Sequence, residues 1–342
     1  MGRPTIADLA REAGVGVATV DRVINRRARV KADTAQRVLE AAEAIGFRAS
    51  GMIRRRLEEG GAERKLGFIL QKRTTPFYGI LADALGEATR SSPAMRARRV
   101  VEFLDELTPR SVVEKLHQLG SKVDVLAVVA ADHPHVSQAI DQLHAKGVPT
   151  FTLLSDLTAP KRAGFIGIDN RKVGRTAAWS IARLSKGPGK VGILMGSHRY
   201  LCQELCEISF RSYFRENAPD FQVVETLVSL EDPSLAQAAT LELLKRHPDL
   251  VGIFVDGGGI EGVIEALRDD SSPKSIITIC LELTEQTRAA LIDGIVDVVI
   301  SHPRAALAER AVEVMVRALE DRAGDGLSQI LLPFDIFISE NV

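Results

Sequence analysis

Between Thr5 and Asn25, apolar residues recur at helical spacing in two short bursts separated by glycine. Ile6, Leu9, Ala10 and Ala13 form one stripe behind Thr5, a residue type suited to an N-cap. Gly14 can adopt the left-handed backbone that ends a first helix. A second helix over 17–25 buries Val20, Val23 and Ile24 and leaves Val17, Ala18, Asp21, Arg22 and Asn25 outside. A third, about 32–45, carries Ala35, Val38, Leu39, Ala42 and Ile45 on one face and closes at Gly46. Two helices around a tight turn, with small and basic groups exposed on the second, predict a helix-turn-helix. That unit lays its second helix in the DNA major groove.

Residues 48–65 break the apolar pattern and read as a linker, and beyond Leu66 the periodicity changes. Short Val/Ile/Leu-rich runs fall at 66–70, 99–103, 125–129, 150–154, 164–168, 191–195, 222–227, 252–255, 276–280 and 296–300. Helical patterns lie between and after them at 79–90, 109–120, 134–146, 172–185, 203–217, 234–247, 260–269, 284–293 and 304–320. Continuous apolar strands suit parallel sheets covered on both faces. The alternation predicts doubly wound α/β sheets, and so many strands favour two lobes over one open sheet.

Composition changes this picture only through its distribution. The 342 residues are 45% hydrophobic and 26% charged, ordinary for a soluble protein, with net charge −1. Residues 1–57 hold 12 Arg and Lys against 6 Asp and Glu, a balance of +6, whereas the remainder carries −7. A basic head on an acidic body is the footprint of a phosphate-contacting module joined to something else. No secretory-type leader and no 18-residue apolar stretch is visible, so a cytoplasmic location without membrane contact is expected. Cys202, Cys206 and Cys280 are too few for a disulfide framework.

Signals of other chemistry are weak. His198, Cys202 and Cys206 would share a helix face at i, i+4 and i+8, but no fourth metal ligand lies nearby. Asp256-Gly-Gly-Gly-Ile-Glu-Gly262 lacks dinucleotide-loop spacing, and Gly187-Pro-Gly-Lys190 is not a P-loop. No nucleophile–base set has persuasive spacing. Neither catalysis, a cofactor nor a metal is expected.

The head motif Thr5-Ile-Ala-Asp-Leu-Ala, Ala13-Gly-Val15 and Thr19-Val-x-Arg-Val-Ile-Asn25 resembles the LacI/GalR family of bacterial transcription regulators. Val30, Thr34, Arg37-Val38 and Gly46-Phe47 continue the match. The body is similar to the family's two-lobed sugar-binding fold, with Thr75-Pro-Phe-Tyr78, Ile168-Asp-Asn170 and Gly252-Ile-Phe-Val-Asp256 at matching places. The resemblance implies a helix-turn-helix domain at 1–49, a hinge helix and linker at 50–64, and an effector-binding and dimerisation domain at 65–342. It further implies three interlobe crossings, near Gly164–Asp169, Ser301–Arg304 and Ser328–Leu332. The first lobe is then about 65–166 with 304–328, and the second 167–301 with 329–342.

By the same resemblance, Val17, Ala18 and Arg22 read bases, the arginine through guanine O6/N7. Thr5, Thr19, Asn25, Arg29 and Arg54 complete the DNA-contacting set, and Leu57 is the hinge wedge that opens the minor groove. Several residues depart from the family pattern. Asp21 and Gly16 replace serines, Ser50-Gly51 replaces Pro-Asn, and Arg54 replaces alanine. An acid facing the DNA backbone weakens a phosphate contact unless it pairs with Arg22 or Arg26.

For the effector the resemblance points to Phe77, Tyr78, Asp169 and Glu204, and Asp256, Glu282 and His302 join them because ligands of such folds collect beyond strand ends and at crossovers. Glu204 stands where most carbohydrate binders of this fold have arginine, and Gly257 replaces asparagine. The cleft is expected to be acid-rich and to suit a neutral polyol or amino-bearing sugar better than a phosphorylated one. Together these features imply a sequence-specific regulator, a repressor by the family's commoner behaviour. It would bind a palindromic double-stranded operator as a homodimer and respond to a small carbohydrate-like effector. No leucine heptad supports a coiled-coil tetramer. A nucleobase or amino compound is the alternative effector. A solute-binding protein or an α/β enzyme with an accessory DNA-binding head are the rival classes.

Overall fold

Thr5 opens the first helix with a reciprocal capping box. Its hydroxyl accepts from the Asp8 N–H at 3.3 Å, while its own N–H donates to the Asp8 carboxylate at 3.0 Å. The computed structural model describes residues 4–25, 30–54, 63–92, 96–269, 276–320 and 328–342. In the head these form α1 (Ile6–Glu12), α2 (Val17–Asn25) and α3 (Ala32–Ala44), followed by α4, helical at 50–54. Leu9, Val20, Val38, Ala42 and Ile53 are fully buried in one cluster. Ile53 lies in the stretch expected to be hinge. The head's core therefore extends past residue 49, because α4 turns this side chain into it.

The body comprises two parallel-rich sheets. The first, in the order β12-β5-β4-β3-β1-β2, joins β1 (Arg64–Leu70), β2 (Ala97–Phe103), β3 (Val125–Val128), β4 (Thr150–Leu153), β5 (Gly164–Ile168) and β12 (Ser328–Leu332). Its helices are α5 (Pro76–Ser91), α6 (Pro109–Gly120), α7 (Pro134–Ala145) and α13 (Arg304–Glu320). The second has the order β13-β11-β10-β9-β6-β7, with β8 also paired to β6. Its strands are β6 (Lys190–Met195), β7 (Gln222–Val223), β8 (Leu227–Val228), β9 (Leu250–Asp256), β10 (Ile277–Leu281), β11 (Val298–Ser301) and β13 (Asp335–Phe337). Helices α8 (Asn170–Leu184), α9 (Leu201–Asn217), α10 (Pro233–Arg246), α11 (Ile260–Asp269) and α12 (Glu285–Ile292) accompany it.

Two details differ from the periodicity. The run at 222–227 is two short strands, because Arg211 Nη2 takes the Val224 carbonyl at 2.9 Å and Thr226 Oγ1 at 2.8 Å, diverting the middle of the run. Residues 328–332 pair in parallel with 164–168, so they complete the first sheet. The third crossing is therefore at Pro333–Phe334, and 329–332 belong to the first lobe. β13 then adds to β11 antiparallel. No helix among the described residues is long and apolar enough to cross a membrane.

Candidate functional site

On α2 the apolar stripe faces the core and the opposite face is open. Val20, Val23 and Ile24 are buried, Val17 is 52% exposed, and Ala18, Arg22 and Asn25 are exposed, with Thr19 half-buried. Gly14 (φ 60°) makes the turn from α1. Arg37 Nη2 donates to the Ala13 and Gly14 carbonyls at 3.1 and 3.3 Å, tying α3 to the turn that aims α2. That clamp was not anticipated from the pattern, which marks Arg37 only as a polar position. Asp21 accepts from Asn25 Nδ2 at 2.7 Å. The acid that departs from the family pattern thus holds the neighbouring amide. Arg54 is ion-paired with Glu43, and the Thr5 hydroxyl is engaged in its cap. Arg29 and Leu57 lie outside the described residues.

The second site follows from the topology of the body. In an open α/β sheet, ligands collect beyond the carboxyl ends of strands where the winding reverses. Here Gln71 follows β1, Val129 follows β3, Leu154-Ser155 follows β4, Asp256 ends β9, Glu282 follows β10 and His302 follows β11. All of these line one cleft. Phe77, Tyr78, Asn170, Tyr200, Cys202, Gln203, Glu231 and the Gly257-Gly258 turn add to its walls.

Three lining residues other than glycine hold left-handed backbone: Leu154 (φ 64°), Glu231 (φ 58°) and Glu282 (φ 69°). Such strain persists only where the surroundings impose it, and it clusters at functional sites. Glu231 shows what imposes it. Its carboxylate accepts from Gln203 Nε2 at 2.8 Å and from the Gly258 N–H at 2.6 Å. A Cβ on Gly258 would stand 2.1 Å from Glu231 Oε2, and one on Gly196 would stand 1.7 Å from Oε1. The glycines therefore form a slot for this carboxylate. Burial raises its pKa, opposed by the Gln203 and Gly258 hydrogen bonds.

Glu282 is paired with His302 Nδ1 and accepts from Ser301 Oγ at 3.0 Å. Among the described residues His302 Nε2 is buried without a partner, and the Phe77 ring lies 6.1 Å from the imidazole. Asp256 is fully buried, and among the described residues neither carboxylate oxygen has a nitrogen or oxygen partner. Beside it, the Cys206 thiol points to the Asn170 carbonyl at 3.3 Å. Burial pushes the Asp256 carboxyl well above its usual range; the nearby thiol opposes this, and Glu231 and Glu207 add to it. Burial, with Asp256 adding, pushes the Cys202 thiol up to about 12.

The folded chain thus holds the Asp256 proton more tightly than the unfolded chain. The stability this group contributes is full below its ordinary pKa of 3.8 and falls as pH rises above that value. Asp256→Asn is expected to raise the melting temperature at neutral pH, with the gain shrinking as pH approaches 4. Thermal unfolding of both proteins across that range checks the sign. A variant less stable at pH 7 would show that Asp256 is held ionised by an attraction absent from this geometry.

The cleft brings together Phe77, Tyr78, Asp256, Glu282 and His302 as expected, but two other residues lie elsewhere. Glu204 is exposed and does not line the cleft; its neighbour Gln203 does, because one residue along α9 turns a side chain by about 100°. Asp169 caps α8, accepting from the Arg171 and Lys172 N–H groups at 3.1 and 3.4 Å, and the buried Asn170 faces the cleft instead. The cleft is acid-rich with other members: Glu231 and Glu261 stand where Asp169 and Glu204 were expected. Tyr200 and Gln71 carried no periodic signal, and Cys202 only its helical spacing from His198 and Cys206. As for the His198–Cys202–Cys206 trio, His198 pairs with Glu207 at 3.5 Å and only Cys202 reaches the cleft.

Comparison with known proteins matches both parts. Residues 5–50 fit the family model described as bacterial regulatory proteins, lacI family, and residues 67–323 fit that of a periplasmic binding protein domain. The chain belongs to the LacI/GalR family. Among similar members, the HTH-type transcriptional regulator MalR of Streptomyces coelicolor is 30% identical over 207 residues, 57% of this chain and 55% of that protein. The alignment thus spans about half that relative's length. The HTH-type transcriptional regulator GalS of Salmonella typhimurium is 23% identical, covering 78% of this chain and 76% of its own. The body also has the fold of a solute-binding protein from Agrobacterium vitis solved with alpha-D-tagatopyranose. That structure has a TM-score of 0.75 at 19% identity, covering 81% of this chain and 95% of the other.

Proposed function

We propose that this protein is a sequence-specific DNA-binding transcriptional regulator, acting as a repressor, whose operator affinity is set by a small carbohydrate-like effector in the interlobe cleft. The observation that carries the reading is the coexistence of an α2 face displaying Val17, Ala18, Arg22 and Asn25 with a strained, walled cleft in a body of sugar-binder fold. The names of the relatives, regulators of the same family, support the same role. In this reading the protein is cytoplasmic and non-catalytic, and a homodimer on a palindromic operator. Operator and effector affinities are then coupled reciprocally, by about 1–3 kcal/mol.

Arg22 is the proposed base reader, with Thr19 and Asn25 on phosphates and Asp21 orienting Asn25. Arg22→Ala is expected to cost about 1–3 kcal/mol of operator affinity and to relax preference at one base pair per half-site. Selection of bound sequences from a random pool, repeated with the variant, checks this. A uniform loss across all sequences would leave Arg22 a phosphate contact only.

A rival reading as a solute-binding protein predicts that the full chain takes sugar but no DNA. Titration of the full chain into DNA carrying its own promoter region, with and without candidate sugars, separates the two.

A further inference from the structure

The charge inventory of the cleft is one-sided. Glu231, Asp256, Glu261 and Glu282 line it, and among the described residues no lysine or arginine does. Three of the four acids have their charge answered within the protein. Glu282 has His302 and Ser301, and Glu231 has Gln203 and the Gly258 N–H. Glu261 stands in the first turn of α11, where the helix N-terminus favours a negative charge. Asp256 has no countercharge and only the weakly donating Cys206 thiol beside it, although it is fully buried and lies at the strand end that faces the cleft.

We propose that the effector is a polyhydroxylated molecule carrying one positive charge, an amino sugar or equivalent amino polyol, whose ammonium group sits on Asp256. This deepens the assignment of the cleft as the effector site and rests on it. An anionic sugar would add charge beside four acids, where the nearby Lys72 lies outside the lining and already acts on Glu231. A neutral sugar would leave Asp256 with hydroxyl partners alone and no countercharge. An ammonium group supplies the missing charge and up to three N–H donors at once, which is what a buried carboxylate needs. A polyamine has more charges than there are unanswered acids. It also has no hydroxyl for the second unpartnered group, His302 Nε2, or for the buried Asn170. Phe77 and Tyr78, packed edge to face at 5.3 Å, form an aromatic wall suited to a ring's C–H surface.

The chemistry leaves a measurable trace. Burial raises the Asp256 pKa, and an ammonium seated against the carboxyl lowers it again, which favours release of a proton on binding. The test is isothermal calorimetry of the full chain with D-glucosamine, D-galactosamine and D-mannosamine, each against its parent hexose, and with gluconate and glucose 6-phosphate. The expected result is that at least one amino sugar binds about tenfold or more tightly than its parent hexose. Its binding heat should vary between buffers of different ionisation enthalpy, as proton release requires. In Asp256→Asn both the preference and the buffer dependence should disappear.

Equal or tighter binding of a parent hexose or acid would overturn the proposal, as would no binding of any amino sugar. Persistence of the preference in Asp256→Asn would overturn it too, whatever that variant's stability. Operator binding by the same preparation keeps the two readings apart. DNA binding without amino-sugar preference removes only the ligand class, whereas amino-sugar preference without DNA binding removes only the regulator.

Discussion

Leu9→Ala is expected to abolish operator binding while leaving effector affinity intact. Leu9 is fully excluded from solvent, at the centre of the cluster formed with Val20, Val38, Ala42 and Ile53. Truncating such a side chain removes its transfer free energy and leaves a cavity, together about 2–5 kcal/mol. A head of this size buries a smaller share of its surface than a large domain does and has little margin. Its loss releases α2, since Val20, Val23 and Ile24 dock on the same cluster. Circular dichroism of the full chain should show partial loss of helix at physiological temperature, with DNA titration and calorimetry reporting the two affinities. Retained operator affinity would mean that DNA refolds the head, and a lost effector affinity would mean that Leu9 supports more than its own cluster.

Gly174→Ala is expected to act on the other half of the protein. A Cβ at Gly174 would stand 2.2 Å from the Cys206 carbonyl oxygen and 2.3 Å from Ser209 Oγ. The first of these is the backbone of α9, so no side-chain rotation relieves it. The helices must separate, at a cost near the upper end of the usual 1–3 kcal/mol or so for overpacking. In a body of this size that corresponds to a fall of roughly 2–4 °C in melting temperature per kcal/mol. Separation also shifts Cys202 and Gln203 on α9 relative to Asn170 on α8, and with them the partner that holds Glu231. Effector binding should therefore weaken together with stability. Gly187→Ala is the control, because nothing lies within 4 Å of its added Cβ. A Gly174 variant as stable as the Gly187 variant would show that α8 and α9 can part freely.

What the sequence by itself determined was the set of elements and the identity of the head. Helices α1 to α3 and the buried face of α2 were legible because each turns on its own residues: a Thr5 cap, a Gly14 turn and apolar positions at period 3.6. The alternation of strands and helices was legible for the same reason. Phe77, Asp256, Glu282 and His302 could be placed because each stands at or near the end of a strand whose apolar run marks its own length, and strand ends are where such sheets bind ligands.

Only the tertiary structure decided which acids belong to the cleft. Glu204 and Gln203 are adjacent in sequence, and the packing of α9 against α8 alone turns the glutamine inward. Glu231 sits in a loop with no period, and its place depends on a left-handed backbone and on glycines 196 and 258. The last strand of the first sheet was missed because 328–332 gains its partner, 164–168, only after the chain has wound through the entire second lobe. Local periodicity is written in neighbouring residues, whereas a cleft is assembled from strand ends up to about 230 residues apart, from Gln71 to His302. The rotation and depth of each side chain there are set by what packs behind it.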